Sequence, residues 1–91
     1  MTFRVIYHPL VKSDLSFLNR DILFRIEKAI TSRLQKSPFD YGKPLTANLR
    51  GFWSMRVGDY RIVYRVIHEE ITIFAILHRK DVYWRVQKRN L

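Results

Sequence analysis

The sequence predicts an α+β fold, one sheet carrying a layer of helices, with residues 1–91 forming one domain. Two observations predict it. From Phe52 to Ile67 the chain reads FWSMRVGDYRIVYRVI, two alternating runs joined by Gly58-Asp59. That is a strong hairpin signal, because glycine supplies the positive φ a tight turn needs. Ahead of the hairpin, two stretches place apolar residues at helical spacing. The expected order is an N-terminal strand, a two-helix hairpin, then a three-strand antiparallel meander, with the helices packed on one sheet face.

Phe3 to Tyr7 alternates as a short first strand, and His8-Pro9 ends it, since proline cannot continue a ladder. Pro9 suits the first turn of a helix, and Leu10, Val11, Leu15 and Leu18 carry that helix to about Leu18. Asn19 and Asp21 are good caps for a second helix running to Lys36. Ile22, Ile26, Ala29, Ile30 and Leu34 form its stripe. Ser37-Pro38 stops it, and residues 39–48 read as a loop flanked by Lys43 and Arg50.

With Gly58-Asp59 as the loop, Val57 faces Tyr60, Met55 faces Ile62 and Trp53 faces Tyr64. That face is apolar and requires cover. The other face pairs Arg56 with Arg61, Ser54 with Val63 and Phe52 with Arg65. Like charges opposite each other destabilise a sheet, so Arg56 against Arg61 either splays into water or grips an anion. His68-Glu69-Glu70 is a poorer turn. ITIFAILH, Ile71 to His78, alternates weakly, as a strand buried on both faces does. A Glu69-Glu70 loop puts Arg61 opposite His78, with Arg79 at the strand end and Tyr83 close behind. Phe52 and Phe74 then fall on the basic face, available to a partner. Arg79 to Leu91 is basic, holds two aromatics and can form a terminal turn of helix.

The formal charge of +9, from 17 Lys and Arg against 8 Asp and Glu, points to a polyanionic partner or an acidic protein that masks it. No cysteine is present, which excludes disulfides and thiolate metal sites. No apolar run approaches the ~18 residues of a membrane span, and Met1-Thr2-Phe3-Arg4 shows no leader pattern. These features fit a cytoplasmic protein. His8, His68 and His78 lack metal-ligand spacing, HEE is not HExxH, and the three glycines form no phosphate loop. No metal or cofactor is expected.

The hairpin GDYRIVYRV, followed about ten residues later by HRKDVY, resembles the RelE/ParE superfamily of bacterial toxins. So do the helical hairpin and the LRGFW segment. The resemblance spans nearly the whole chain. It implies the RelE-like microbial ribonuclease fold, a cognate antitoxin, and one of two activities. The RelE branch cuts messenger RNA in the ribosomal A site; the ParE branch poisons DNA gyrase without being an enzyme. A non-catalytic RNA-binding domain on the same fold is a third reading. Matched by motif, Arg56, Arg61, Arg79 and Tyr83 stand at the RelE catalytic positions. Ser54 stands where a lysine is common, and Leu77 where a glycine often precedes the histidine.

The resemblance implies metal-independent cleavage, in which the 2′-hydroxyl attacks and the protein moves two protons and stabilises the charged phosphorane. Arginines supply the charge. A tyrosine has an ordinary pKa of about 10, and neighbouring cations such as Arg79 and Lys80 favour its phenolate. Arg61 and Arg79 are expected on the scissile phosphate, Tyr83 as the base, and Arg56 or His78 at the leaving group. Lys43, Arg50, Arg65, His78, Lys80, Trp84, Arg85, Lys88 and Arg89 are the expected RNA contacts, Trp84 by stacking or by closing the core, the tail cations through phosphates.

Overall fold

A computed structural model describes residues 2–89. The strands are β1 (Arg4–Tyr7), β2 (Lys43–Pro44), β3 (Trp53–Val57), β4 (Tyr60–Ile67) and β5 (Glu70–His78), and the helices α1 (Val11–Leu15), α2 (Arg20–Ala29), α3 (Pro38–Tyr41) and α4 (Val82–Lys88). The strands form one sheet in the order β1-β5-β4-β3-β2. It is antiparallel except that β1 runs parallel to β5, the chain having crossed over through the helices between them.

Local chemistry sets the helix ends. Asn19 caps α2, its side chain accepting the Ile22 N–H at 3.1 Å. The helix then widens into a π turn, Ile30–Leu34, closed by Gln35 N–H to Ile30 O at 2.8 Å. Thr31 and Ser32 donate their hydroxyls back to the carbonyls of Glu27 and Lys28, which loosens the ladder where the turn begins. The segment read as a loop after Ser37 holds α3 and the two-residue β2.

The first hairpin has the expected register, Trp53–Tyr64 through Val57–Tyr60. Gly58 sits at φ +59 in its turn, a conformation that costs other residues a steric penalty. The second hairpin differs. Its loop is His68-Glu69, with His68 in the left-handed region, and Ile67 pairs with Glu70. A bulge at Phe74 then shifts the ladder, so that Val63 pairs with Ala75 and Tyr60 with His78. A one-residue slip exchanges the two faces of a strand. His78 therefore lies with Tyr60, ring centroids 5.5 Å apart, and Arg61 faces Leu77 instead.

The sheet has two apolar faces. On one, Met55, Val57, Ile62, Tyr64, Ile71, Ile73 and Ile76 meet Val11, Ile26, Ala29, Ile30 and Leu34 of the helices. This is the expected layer. On the other, Phe52, Val63, Phe74, Ala75 and Leu77 meet Leu49 and the Val82 and Val86 pair of α4. Phe52 and Phe74 pack edge to face at 4.8 Å inside that second core, so neither is available to RNA or a partner.

The chain after α4 is anchored. β1 pairs with β5 only as far as Ile73, whose carbonyl accepts from His8 at 2.8 Å. Beyond it no strand among the described residues lies beside the outer edge of β5. Asp14 accepts the Ile76 N–H at 3.0 Å and Arg89 donates to Phe74 O at 2.7 Å. The two side chains also pair with each other through both guanidinium nitrogens. Both are almost wholly buried, Arg89 at 5 % and Asp14 at 1 % side-chain exposure. Arg89 is therefore a structural residue and not the exposed RNA contact its place in a basic tail suggested. The terminal residues Asn90 and Leu91, included in the expected tail helix, lie outside the described residues.

Removing one member of a buried pair leaves the other charge uncompensated, at about 3–5 kcal/mol. Arg89→Ala is expected to lower unfolding stability by that amount in urea melts, and Asp14→Ala to match it within about 1 kcal/mol. A loss below about 1 kcal/mol for either would show the pair to be dispensable. Tyr64 gives a pH signature. Its hydroxyl donates to Pro38 O at 2.6 Å, and burial pushes its pKa above the ordinary value. Above the unfolded pKa of about 10 the unfolded chain has lost this proton while the folded chain keeps it, so stability falls as pH rises further. Tyr64→Phe is expected to flatten that alkaline decline in melts taken from about pH 9 to 11.

Candidate nucleic-acid interface

The second-core face of the sheet is not wholly covered. Between β2, β3 and α4 runs an open groove of about 520 Å3. Lys43, Ser54, Arg61, Tyr83, Gln87 and Asn48 line it, together with neighbouring loop residues, and no carboxylate is among them. Each position has a structural cause. Lys43 is brought in by β2, where it pairs with Ser54. Arg61 stands on β4 two strands away. Tyr83 and Gln87 share one flank of α4, being four residues apart on a helix whose Val82 and Val86 point into the core.

The loop that delivers Lys43 is pinned by Tyr64. Its hydroxyl crosses the sheet edge to Pro38 O and lies hard against Gly42. A side chain at Gly42 would meet the Tyr64 hydroxyl at 1.8 Å, so close approach requires glycine there, although its φ does not. Ser54 Oγ is buried under the groove and has no hydrogen-bond partner in the described structure. It stands in the middle of the cationic lining as a neutral polar group.

The expected site residues do not all meet. Arg61, Tyr83 and Lys43 share the groove. Arg56 and Arg79 belong to the same end of the sheet but flank the β3–β4 turn instead. Arg56 donates Nε to Gly58 O at 2.9 Å, and Arg79 lies 4.0 Å from the exposed Asp59 carboxylate while its N–H binds Asp59 O. Tyr83 thus lines one groove with Arg61, and Arg79 is not among the residues lining it. His78 is turned away by the bulge, and its Nδ1 accepts the Lys80 N–H at 3.1 Å. Arg65 lies over Phe52 and Phe74, 5.6 and 5.2 Å from their centroids, closing the second core.

Trp84, Arg85 and Lys88 occupy the opposite flank of α4, near Leu10 and Ser13 of the α1 region. Lys88 stacks over Trp84 at 5.0 Å, and Trp84 Nε1 donates to Asp81 at 3.4 Å. Arg50 and Lys80 are exposed outside the groove. Among the described residues no group of His, Asp and Glu side chains is placed to hold a metal ion. No helix among them is long and apolar enough to cross a membrane.

Comparison with known proteins follows the fold. The family model described as the ParE toxin of type II toxin–antitoxin systems matches residues 5–83. The chain is 33 % identical over 87 residues to Toxin RelG of Mycobacterium tuberculosis, covering 93 % of this chain and 100 % of that one. It is 35 % identical over 72 residues to Toxin RelE of the same organism, covering 77 % and 74 %. A chain of the M. tuberculosis toxin–antitoxin complex RelBE2 superposes with a TM-score of 0.81 at 31 % identity, covering 87 % of this chain and 100 % of that one.

Gly42→Ala is expected to drive Tyr64 from Pro38 and loosen β2, costing about 1–3 kcal/mol in thermal or urea melts. Arg50→Ala, at an exposed position outside the groove, is expected to change stability by less than about 0.5 kcal/mol. Equal effects of the two would refute the packing constraint at Gly42.

Proposed function

The chain belongs to the RelE/ParE superfamily and is a toxin of a type II toxin–antitoxin system, and from that premise we propose that it is an endoribonuclease cutting messenger RNA in the ribosomal A site. The observation that carries the reading is the groove that Arg61, Lys43 and Tyr83 line without a carboxylate. Such a lining attracts a phosphodiester and repels no part of it. Arg61 has the planar fork that matches phosphate oxygens, and Lys43 adds a point charge from the opposite bank.

The step needs no metal. The 2′-hydroxyl gives up its proton to Tyr83 Oη in its phenolate form, acting as base, while its oxygen forms a bond to the adjacent phosphorus. The phosphorane gains negative charge, which Arg61 and Lys43 stabilise. The P–O5′ bond breaks, the departing oxygen takes a proton from water, and a 2′,3′-cyclic phosphate remains. Arg56 and Arg79, at the turn, raise the local positive potential and guide the strand. A cognate antitoxin silences the toxin, as the antitoxin partner in the RelBE2 complex suggests. An acidic amphipathic segment suits a chain of charge +9.

The match to the ParE family model favours one second reading, a gyrase inhibitor without nuclease activity. Primer extension on message after pulsed expression separates the two. The wild type is expected to leave mapped cuts within open reading frames. Arg61→Ala is expected to reduce them by about 10²–10³-fold, as loss of a charge-stabilising donor does, and Tyr83→Phe by about 10²–10⁴-fold. Cuts at the wild-type rate in Arg61→Ala would refute the assignment. Toxicity without cuts, together with inhibited supercoiling, would establish the gyrase reading.

A further inference from the structure

A second cationic recess lies on the other side of β3, against the helices. It holds about 540 Å3 and is lined by Arg25, Lys28 and Ser32 of α2 and its π turn, by Arg33, and by Arg56 and Gly58 at the sheet edge. It is separate from the groove, with which it shares no lining residue. We propose that this recess holds the phosphodiester backbone of an RNA strand, as a second anchoring site beside the groove.

Two guanidiniums converge here, and among the described residues neither forms an ion pair. Arg25 lies flat against the turn, its Nη1 3.3 Å from where a Gly58 side chain would begin. Arg56 reaches the same residue from β3, donating Nε to Gly58 O at 2.9 Å. Lys28 and Arg33 extend the row along the helix, Arg33 steadied 5.9 Å over the Tyr41 ring. No carboxylate lines the recess. The adjoining hollow contains Asp59, but that carboxylate is exposed and lies beside Arg79. Gathering like charges costs energy that an anion recovers, and arginine forks held in place lose little freedom on binding phosphate.

The lining also identifies the class of anion. An acidic helix docks through apolar anchors as well as charge. The apolar residues of the recess, Ala29 and Val57, are buried at 6 % and 7 % exposure and offer none. What is presented is guanidinium, ammonium and hydroxyl, the donor set of backbone phosphate contacts. Position agrees. Ser54 lines the groove and Arg56 the recess, two residues apart on one strand, or about 7 Å. A strand crossing the β3 edge reaches both.

The inference takes the polyanion from the RNA reading of the groove and does not depend on cleavage. The test is fluorescence anisotropy of a labelled, uncleavable 2′-O-methyl oligoribonucleotide on the full chain, from about 50 to about 200 mM salt. Each phosphate contact to a single strand contributes about 0.7 to the slope of log K against log salt. The triple variant Arg25→Ala, Lys28→Ala, Arg33→Ala is expected to lower that slope by about 2. The variant Arg25→Lys, Arg33→Lys keeps the charges and is expected to keep the slope, which excludes misfolding as the cause. An unchanged slope in the triple variant overturns the proposal. So does loss of poly-glutamate binding with RNA binding intact, which would make the recess a peptide site. Failure of the nuclease reading appears elsewhere, as message cuts that survive Arg61→Ala.

Discussion

The far half of β5 has lost its neighbour, and one ion pair takes that neighbour's place. β1 is four residues long and ends at the His8-Pro9 break. A bare strand edge would leave buried backbone groups without partners, which interiors do not tolerate. Asp14 and Arg89 close the gap by bonding Ile76 and Phe74 and then each other. Asp14 comes from α1 on one face of the sheet, and Arg89 follows α4 on the other. A single pair thereby ties the two helical covers together across the strand edge. It also holds the end of α4, the helix whose Tyr83 lines the groove.

The distribution of charge follows from the same economy of carboxylates. With 8 acids against 17 cations, those that are committed elsewhere leave long stretches uncompensated. Asp14 is buried with Arg89, Glu70 pairs with Arg4 at 3.3 Å, and Asp59 stands by Arg79. Neither the groove nor the recess contains an acid among its lining. Lys43 and Arg61 in the groove, and Arg25, Lys28, Arg33 and Arg56 in the recess, therefore stand where the surface is concave with no acid beside them in the lining. Concavity between low-dielectric walls focuses potential more than a flat face would. Arg65 shows the contrary case: placed over Phe52 and Phe74, its cation contributes to packing the second core.

What could be read from the residues depended on how local the determinant was. Gly58-Asp59 settles its hairpin by itself, and the whole β3–β4 register follows from it. The β4–β5 turn has no glycine, so neither Glu69-Glu70 nor His68-Glu69 stands out, and the bulge at Phe74 leaves no mark in a continuous apolar run. That is why His78 was expected beside Arg61 and lies beside Tyr60. Asp14 did carry a signal. It occupies an apolar-stripe position between Val11 and Leu15, where an acid needs a buried partner. Its partner lies 75 residues away, beyond any local pattern. β2 is two residues long, too short for alternation to exist, and so Lys43 looked like a loop cation and not a strand residue facing Ser54.

The brevity of β2 has a further consequence. The chain enters the sheet only at Lys43, pairs with Ser54 and then Trp53, and runs on away from Met55. From Met55 to the Gly58 turn, β3 has no strand on its outer side. A β2 longer by two or three residues would run alongside Arg56 and fill the space between β3 and α2 that the recess occupies. It would also take up the outward backbone groups of that segment and remove the break over which the two cationic sites approach each other. A short β2 leaves an unprotected edge, ordinarily a liability for aggregation. Here the positions around that edge are Arg25, Arg56, Lys28 and Arg33, and charge is one of the devices by which an open edge resists pairing with another chain. The same four cations that would oppose a second protein strand are the ones that would accept a phosphate backbone.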